Sequence, residues 1–321
     1  MLEQIIYLGV TFLVTAILGK FFIPVLKKLK VGQSERADGP RSHLRKQGTP
    51  TMGGIIMMVS ILIIVGIMFI INSENAKQIL PLVLASIGFG IVGFVDDFKK
   101  VVLKNTDGLN PKLKMLGLLI IATMYTVFLV QYTNVNNEIY IPFFKIYLSL
   151  PNILYIPLII FVMLGTTNAV NLNDGVDGLC GSCSAIMLTA FSIICMKLGF
   201  PAISIFSAII AGSCVGFLIY NFHKAKVFMG DTGSLFLGGA LASIAIYVKM
   251  PLLLVVIAII PIIETLSVII QVLSFRFRGK RVFRMTPLHH HFELTGWREN
   301  RVVGVFALIT LIASIIGILL V

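Results

Sequence analysis

The chain alternates between long apolar runs and short polar connections. Ten runs are apolar and close to the ~20 residues that a helix needs to cross a bilayer. They are 4–26, 52–71, 79–95, 113–133, 151–170, 179–198, 201–220, 234–249, 251–273 and 302–321. This pattern predicts an all-α, polytopic membrane protein of about ten transmembrane helices, folded as a single domain over residues 1–321.

One connection has a different pattern. Residues 134–150 read NVNNEIYIPFFKIYLSL, in which aromatic and β-branched residues follow an Asn-Asn turn signal. This composition predicts a small β-hairpin on the outer face of the membrane. An irregular interfacial loop is the alternative.

Composition supports the membrane interpretation. Hydrophobic residues make up 57% of the chain and charged residues 12%, against about 25% charged residues in a typical soluble domain. The mean hydropathy is +0.98. A water-soluble fold cannot bury this much apolar surface, so we expect the lipid bilayer to surround the protein.

The charge distribution predicts an orientation. The formal net charge is +12, and most of the 26 Lys and Arg residues lie in the connections 27–51, 96–114, 221–226 and 274–301. With ten spans these connections fall on one side, which the positive-inside rule assigns to the cytoplasm. Both termini are then outside. No nucleic-acid-binding motif accompanies the charge, so nucleic acid is not an expected partner.

The four cysteines do not suggest a metal site. Cys180 and Cys183 form a CxxC pair, a pattern that indicates metal or redox chemistry in a soluble loop. No second pair completes a zinc site. We interpret these cysteines as small apolar residues on a membrane helix.

The first candidate functional group is a pair of acids. Asp96 and Asp97 end the third apolar run, and ionisable residues at membrane depth generally mark functional sites. Adjacent carboxylates repel, so one holds a proton tightly or the pair binds a cation. The alternative is a solvated helix end next to Lys99 and Lys100.

The second candidate is the segment NAVNLNDGVDGL at 168–179. Asn171, Asp174 and Asp177 supply hydrogen-bonding groups, and the intervening glycines let the backbone approach a ligand closely. We favour a ligand site over an ordinary Asx-rich turn, because such a run between two apolar helices is unusual.

The third candidate is the segment NFHKAKVFMGDTGSLFLGG at 221–239. Asp231 stands just before a predicted helix, where it could simply cap the helix N-terminus. A helix N-terminus also binds anions, and Phe228 offers a face for stacking a base. A carboxylate next to a phosphate usually requires a metal between them, and Mg²⁺ suits such oxygen ligands.

Two further segments are polar. The run MTPLHHHFELTGW at 285–297 holds His289, His290 and His291, and imidazoles hydrogen-bond phosphate and sugar oxygens. A zinc site or an engineered tag are the alternatives. The run RSHLRKQGTPTMGG at 41–54 offers Lys46 and Thr51 for a phosphate, although positive-inside anchoring accounts for part of its charge.

Together these segments resemble one family. GTPTMGG, VDDF, NAVNLNDGVDGL, KVFMGDTGSL and PLHHHFE occur in order along nearly the whole chain, as in the phospho-N-acetylmuramoyl-pentapeptide transferases. These enzymes belong to the polyprenyl-phosphate N-acetylhexosamine-1-phosphate transferase superfamily. The triple-histidine run is similar to that of the muramoyl-pentapeptide branch.

The resemblance implies a reaction and a location. It implies a homodimeric enzyme of the bacterial inner membrane with a cleft facing the cytoplasm. With Mg²⁺ as cofactor, such an enzyme transfers phospho-MurNAc-pentapeptide from its UDP conjugate (UDP-MurNAc-pentapeptide) to undecaprenyl phosphate. The products are lipid I and UMP.

The resemblance also implies residue roles. Asp231 would ligate Mg²⁺, Asp96 would accept or orient the proton of the lipid phosphate, Asp97 would hold that geometry, and Lys112 would pair with the lipid phosphate. The uridine and ribose would contact Asn171, Asp174, Asp177, Asn221 and Phe228. The phosphates or the sugar-peptide side would contact Lys46, Thr51, His289, His290 and His291. Direct attack by the lipid phosphate and a phospho-aspartate intermediate both remain open.

Three rival functions differ in what they require. A sister transferase that moves GlcNAc-1-phosphate from UDP-GlcNAc would share the aspartates but needs no peptide contacts. An ion-coupled transporter also carries intramembrane acids, but commonly shows inverted repeats, and the chain has none. A scaffolding protein has no need of the polar loops.

Overall fold

The computed structural model describes residues 1–28, 48–101, 108–133 and 137–321. Within them the chain forms helices that follow the predicted apolar runs, which confirms the all-α expectation. The helices are α1 (Leu2–Lys28), α2 (Gly54–Ile71), α3 (Ser73–Val101), α4 (Pro111–Tyr132), α5 (Asn152–Leu172), α6 (Leu179–Lys197), α7 (Pro201–Asn221), α8 (Gly230–Tyr247), α9 (Leu254–Ile257), α10 (Ile259–Arg278), α11 (Leu288–Leu294) and α12 (Glu299–Leu319).

Nine helices of the described part are long and apolar enough to cross a membrane: α1 to α7, α10 and α12. Helix α8 occupies the predicted run 234–249 and is 18 residues long, but it is rich in Gly, Ala and Ser. Nearly all of its residues are buried by other helices. Because protein and not lipid surrounds α8, its side chains need less hydropathy than those of a lipid-facing span.

The prediction of one continuous helix over 251–273 is wrong. The structure divides this run into a 3₁₀ turn at Pro251–Leu253, then α9, then α10, with a break at Ala258. Pro261 explains the break, because a proline has no N–H to donate and its ring clashes with the carbonyl group four residues earlier.

The helices pack in a centre and a periphery. In the most apolar stretches of α6 and α7, 78% and 89% of the residues are buried. In those of α1 and α10, only 17% and 22% are buried. Helix α8 packs on α3 and α5, and α7 packs on α1 and α6. Phenylalanines 191, 206, 217 and 236 are fully buried in this centre, and all four cysteines are buried there as free thiols. The peripheral helices present their remaining apolar surface to lipid.

The predicted hairpin is present. Strands β1 (Glu138–Ile141) and β2 (Ile146–Ser149) pair antiparallel. The hairpin is attached to the chain after α8, where the Lys249 ammonium lies 2.7 Å from the Glu138 carboxylate. This attachment fixes the end of the molecule opposite the polar loops. At the other end, α3, α5, α7 and α10 finish and α4, α6, α8 and α12 begin.

Candidate active site

The two acids of α3 lie against the start of α8. Asp97 is buried, and its carboxylate accepts hydrogen bonds from the backbone N–H groups of Asp231 at 3.2 Å and Thr232 at 2.9 Å, and from the Thr232 hydroxyl at 2.6 Å. A carboxylate at a helix N-terminus satisfies donors that have no partner within the helix and interacts favourably with the helix dipole. The sequence suggested that Asp231 could cap α8, but the cap comes from Asp97 of α3.

Glycine permits this close approach. A side chain at Gly93 of α3 would overlap the backbone carbonyl oxygen of Asp231. At the start of α8, Gly230 has a φ of +74°, and a Cβ there would lie 2.8 Å from the Thr51 hydroxyl. Because neither glycine carries a side chain, α3 and α8 approach closely enough for their carboxylates to lie side by side.

Two lysines join Asp96 to Asp231. The Lys100 ammonium lies 2.6 Å from Oδ2 of Asp96 and 3.0 Å from Oδ2 of Asp231. The Lys114 ammonium lies 3.3 Å and 2.7 Å from the same two oxygens. The Asp96 side chain is only 3% exposed, whereas the Lys100 side chain is 37% exposed. The cluster is therefore open to solvent on the lysine side.

Lys112, the lysine predicted to meet the lipid phosphate, lies elsewhere. Its side chain is exposed, and its backbone N–H donates to the Asn110 side chain at the N-cap of α4. Sequence reasoning noticed Lys100 only as a neighbour of the acid pair and missed Lys114. The spacing of four residues between Asp96 and Lys100 was an available signal. Nothing local distinguishes Lys114 from Lys112.

The end of α5 contributes the next group. The Asn171 side-chain amide donates to Oδ1 of Asp231 and to the hydroxyl of Ser234, both at 2.8 Å. Asp174 follows in the loop between α5 and α6. Burial, and then the carboxylates of Asp231 and Asp97, raise the pKa of Asp174 to about 8. The Asp174 carboxyl is therefore enclosed near two other acidic side chains.

Two predicted nucleotide contacts tie loops together. The buried Asn221 side chain accepts from the Gly178 backbone N–H at 3.1 Å and donates to the Val227 carbonyl at 3.0 Å. The Asp177 carboxylate accepts from the Ala225 backbone N–H at 3.0 Å. These side chains hold the loop after α5 against the loop after α7.

Asp177 also belongs to a group of possible metal ligands. One ligand atom each of Asp177, His223 and Glu299 lies within 4.8 Å of the others. Nδ1 of His223 is 3.4 Å from Asp177 and 3.6 Å from Glu299. The imidazole therefore links the loop after α7 to the start of α12.

The segment before α2 lies along the same loop. The Gly53 N–H donates to the Phe228 carbonyl and the Gly54 N–H to the Met229 carbonyl, both at 2.9 Å. This backbone pairing places the buried Thr51 side chain next to Gly230 and leaves Phe228 partly exposed. Lys46 lies outside the described residues.

The three histidines have three different environments. His289 is buried, with its Nδ1 3.1 Å from the Glu264 carboxylate of α10. A side chain at Gly175 would overlap its Nε2 atom, so His289 abuts the loop after α5. His290 pairs with Glu293 at 2.9 Å. His291 accepts the Arg284 backbone N–H at 3.1 Å. Of the three, His289 is the one that abuts the aspartate loop.

Comparison with known proteins identifies the family of the chain. The profile described as glycosyl transferase family 4 matches residues 79–249. A phospho-N-acetylmuramoyl-pentapeptide-transferase of Halalkalibacterium halodurans is 47% identical over the whole chain and 98% of its own length. The chain belongs to the phospho-N-acetylmuramoyl-pentapeptide transferase family. The enzyme of that name from Clostridium botulinum (strain Eklund 17B) is 48% identical over 95% of the chain and 93% of its own length. That from Anoxybacillus flavithermus is 47% identical over 97% and 95%.

Membership of this transferase family agrees with the structure. The profile match contains the acids of α3, the loop after α5 and the start of α8. The full-length relatives extend the match to the histidines of α11. The protein is thus a multi-pass membrane transferase, as its sequence predicted.

Proposed function

We propose that this protein transfers phospho-MurNAc-pentapeptide from UDP-MurNAc-pentapeptide to undecaprenyl phosphate, forming lipid I and UMP. The reaction takes place on the cytoplasmic side of a bacterial inner membrane. One observation carries the proposal within the family: Lys100 and Lys114 converge on Asp96 and Asp231 at the N-terminus of α8. A transferase that brings two phosphates together needs cations at the meeting point, and these two ammonium groups supply them.

A phosphate of the lipid and the pyrophosphate of the nucleotide repel each other, so catalysis depends on positioning and on neutralising charge. The ammonium groups of Lys100 and Lys114 supply positive charge at this point. Both lysines are partly open to solvent. Lys100 lies near the C-terminus of α3 and Lys114 near the N-terminus of α4, where the phosphate of a membrane lipid can reach them.

The four carboxylates of the cluster suit a divalent cation. The carboxyl groups of Asp96, Asp97 and Asp231 outnumber the ammonium groups of Lys100 and Lys114, and Asp174 adds a fourth group of oxygen donors nearby. Hard oxygen donors of this kind match Mg²⁺. We expect Asp231 to hold the ion. When bound, Mg²⁺ neutralises pyrophosphate charge and polarises the phosphoryl oxygens.

The two acids of α3 have different roles in this proposal. Asp97 is engaged by the backbone of α8 and holds the geometry. Asp96 contacts both lysines, and we expect it to orient the lipid phosphate and accept its proton. Asn171 positions Asp231 through its amide. His289, held by Glu264, faces the loop that would carry the nucleotide.

The decisive experiment is a transfer assay in detergent. We would supply undecaprenyl phosphate with either UDP-MurNAc-pentapeptide or UDP-GlcNAc and measure UMP release with and without Mg²⁺. We expect the pentapeptide substrate to react, the reaction to require Mg²⁺, and Asp231→Asn to lower the rate at least ~100-fold. Turnover of UDP-GlcNAc alone would assign the protein to the sister reaction, and turnover of neither would contradict the proposal.

The order of bond making needs a separate measurement. Direct attack inverts the configuration at the transferred phosphorus, whereas a phospho-aspartate route retains it through two inversions. A chiral phosphorothioate substrate distinguishes the two routes. We also propose a homodimer, which light scattering of the detergent-solubilised protein checks.

A further inference from the structure

A cavity lies beyond the aspartate cluster. It has a volume of about 560 Å³ and lies between the C-terminal half of α10 and the segment 279–288. Arg276, Arg281 and Arg284 line it, and none of its described lining residues is acidic. The cavity therefore selects for an anionic group.

The walls of the cavity are apolar and held in place. Val272, Phe275 and Met285 contribute apolar surface. The Gln271 side chain fastens the segment to α10, because it donates to the Phe283 carbonyl at 2.9 Å and accepts the Phe283 N–H at 3.0 Å. These two hydrogen bonds hold the segment against α10.

The arginines keep donors available. Arg284 donates from Nη1 to the Leu294 carbonyl at 2.7 Å. Its other N–H groups can donate to a ligand. Arg276 and Arg281 are exposed, and a guanidinium presents five N–H donors in a planar fork that matches a carboxylate. The groove therefore combines two exposed guanidinium groups with apolar side walls.

The position of the groove relates it to the proposed active site. Glu264, which holds His289 against Gly175, precedes Gln271 by seven residues on α10, a rise of about 10 Å. An extended chain of five residues reaches about 17 Å. A pentapeptide whose sugar lies near His289 can therefore extend along α10 into the groove.

We infer that this groove binds the peptide of the UDP-linked substrate, with Arg276 and Arg281 pairing with its C-terminal carboxylate. The inference rests on the proposed function, because it takes a peptidyl substrate as given. A free peptide ends in a carboxylate, and bidentate arginine pairing is strong and specific for that group. The apolar walls then accommodate small side chains.

The test measures binding. We would determine the Kd of UDP-MurNAc-pentapeptide and of UDP-MurNAc without a peptide, for wild type and for the double variant Arg276→Gln/Arg281→Gln. We expect the double variant to bind the peptidyl ligand about 10- to 100-fold more weakly and the peptide-free ligand unchanged. Arg278→Gln is the matched control, because Arg278 is exposed on the same helix and does not line the groove.

A modified ligand tests the chemistry itself. A C-terminal amide on the pentapeptide should weaken binding to wild type as much as the double substitution does. It should cause no further loss in the double variant, because the same contact is already absent.

Several outcomes would overturn the inference. Equal Kd values for the peptidyl ligand in wild type and the double variant would do so, as would equal losses for both ligands. A loss seen only in nanodiscs of anionic lipid, and not of zwitterionic lipid, would assign the arginines to lipid headgroups. If wild type releases UMP normally and the double variant binds the peptidyl ligand as tightly as wild type does, only this inference is contradicted. Wild type that binds neither ligand removes the proposed function as well.

Discussion

At the residue scale, chemically similar neighbours have different roles because only some reach the cluster. Asp96 contacts both lysines, whereas Asp97 bonds to the backbone of α8. Lys114 contacts two carboxylates, whereas Lys112, two residues earlier, is exposed. Each difference arises from the direction in which a helix points a side chain.

The two lysines of α4 can be separated by mutation. We expect Lys114→Met to lower kcat by about 10²- to 10³-fold, since it removes a cation from the reacting phosphates. Lys112→Met should change kcat less than about threefold. Steady-state UMP release measures both. The reverse result would restore the sequence-based assignment of Lys112.

The raised pKa of Asp174 predicts a dependence of stability on pH. An unfolded aspartate ionises near pH 4, whereas the folded carboxyl keeps its proton to about pH 8. Folding therefore loses stability as the pH rises from 4 to 8, because ionisation then favours the unfolded chain. In Asp174→Asn this loss is absent.

We therefore expect the melting temperature of Asp174→Asn, relative to wild type, to be higher at pH 8 than at pH 5 by about 2 °C or more without Mg²⁺. The four buried thiols provide the readout, since a thiol-reactive dye reports their exposure on unfolding. A difference that does not change with pH would contradict a raised pKa.

At the element scale, the contact between α3 and α8 positions the chemistry. Small residues let the two helices approach until a carboxylate of α3 reaches the N-terminus of α8. The same approach leaves no room for a methyl group at Gly93. The site thus depends on helix packing as much as on its polar residues.

Gly93→Ala should both destabilise the protein and impair catalysis. We expect a loss of about 1–3 kcal/mol, typical of overpacking, and a lower kcat with little change in nucleotide affinity. Gly165→Ala on α5 is the control, because a Cβ there meets no atom within 4 Å. Equal activity of the two variants would show that α3 can shift without disturbing the site.

At the scale of the whole molecule, the polar loops and the hairpin lie at opposite ends of the helices. The proposed orientation places the loops in the cytoplasm and the hairpin outside. Because all four native cysteines are buried, introduced cysteines can report sidedness against a low background.

We expect Lys145→Cys in the hairpin to react with a membrane-impermeant maleimide in intact cells. Arg278→Cys at the end of α10 should react only after permeabilisation. Both positions are exposed, so a difference in labelling reflects the side of the membrane. The opposite labelling pattern would invert the proposed topology.

The sequence by itself determined the membrane class, most helices, the hairpin and the loops that carry the polar groups. These features depend on local composition and on periodicity, which a single chain displays directly. The motifs of those loops also indicated the family, because their order along the chain is itself a sequence property.

Only the tertiary structure decided which polar groups meet. That Asp97 caps α8, that Lys114 reaches Asp231 and that Glu264 holds His289 depends on how separate helices are rotated against one another. Single-chain periodicity leaves that rotation undetermined. The break before α10 likewise depends on Pro261, whose effect on a run of apolar residues does not appear in hydropathy. Packing between helices, and not composition, therefore selects the members of the site.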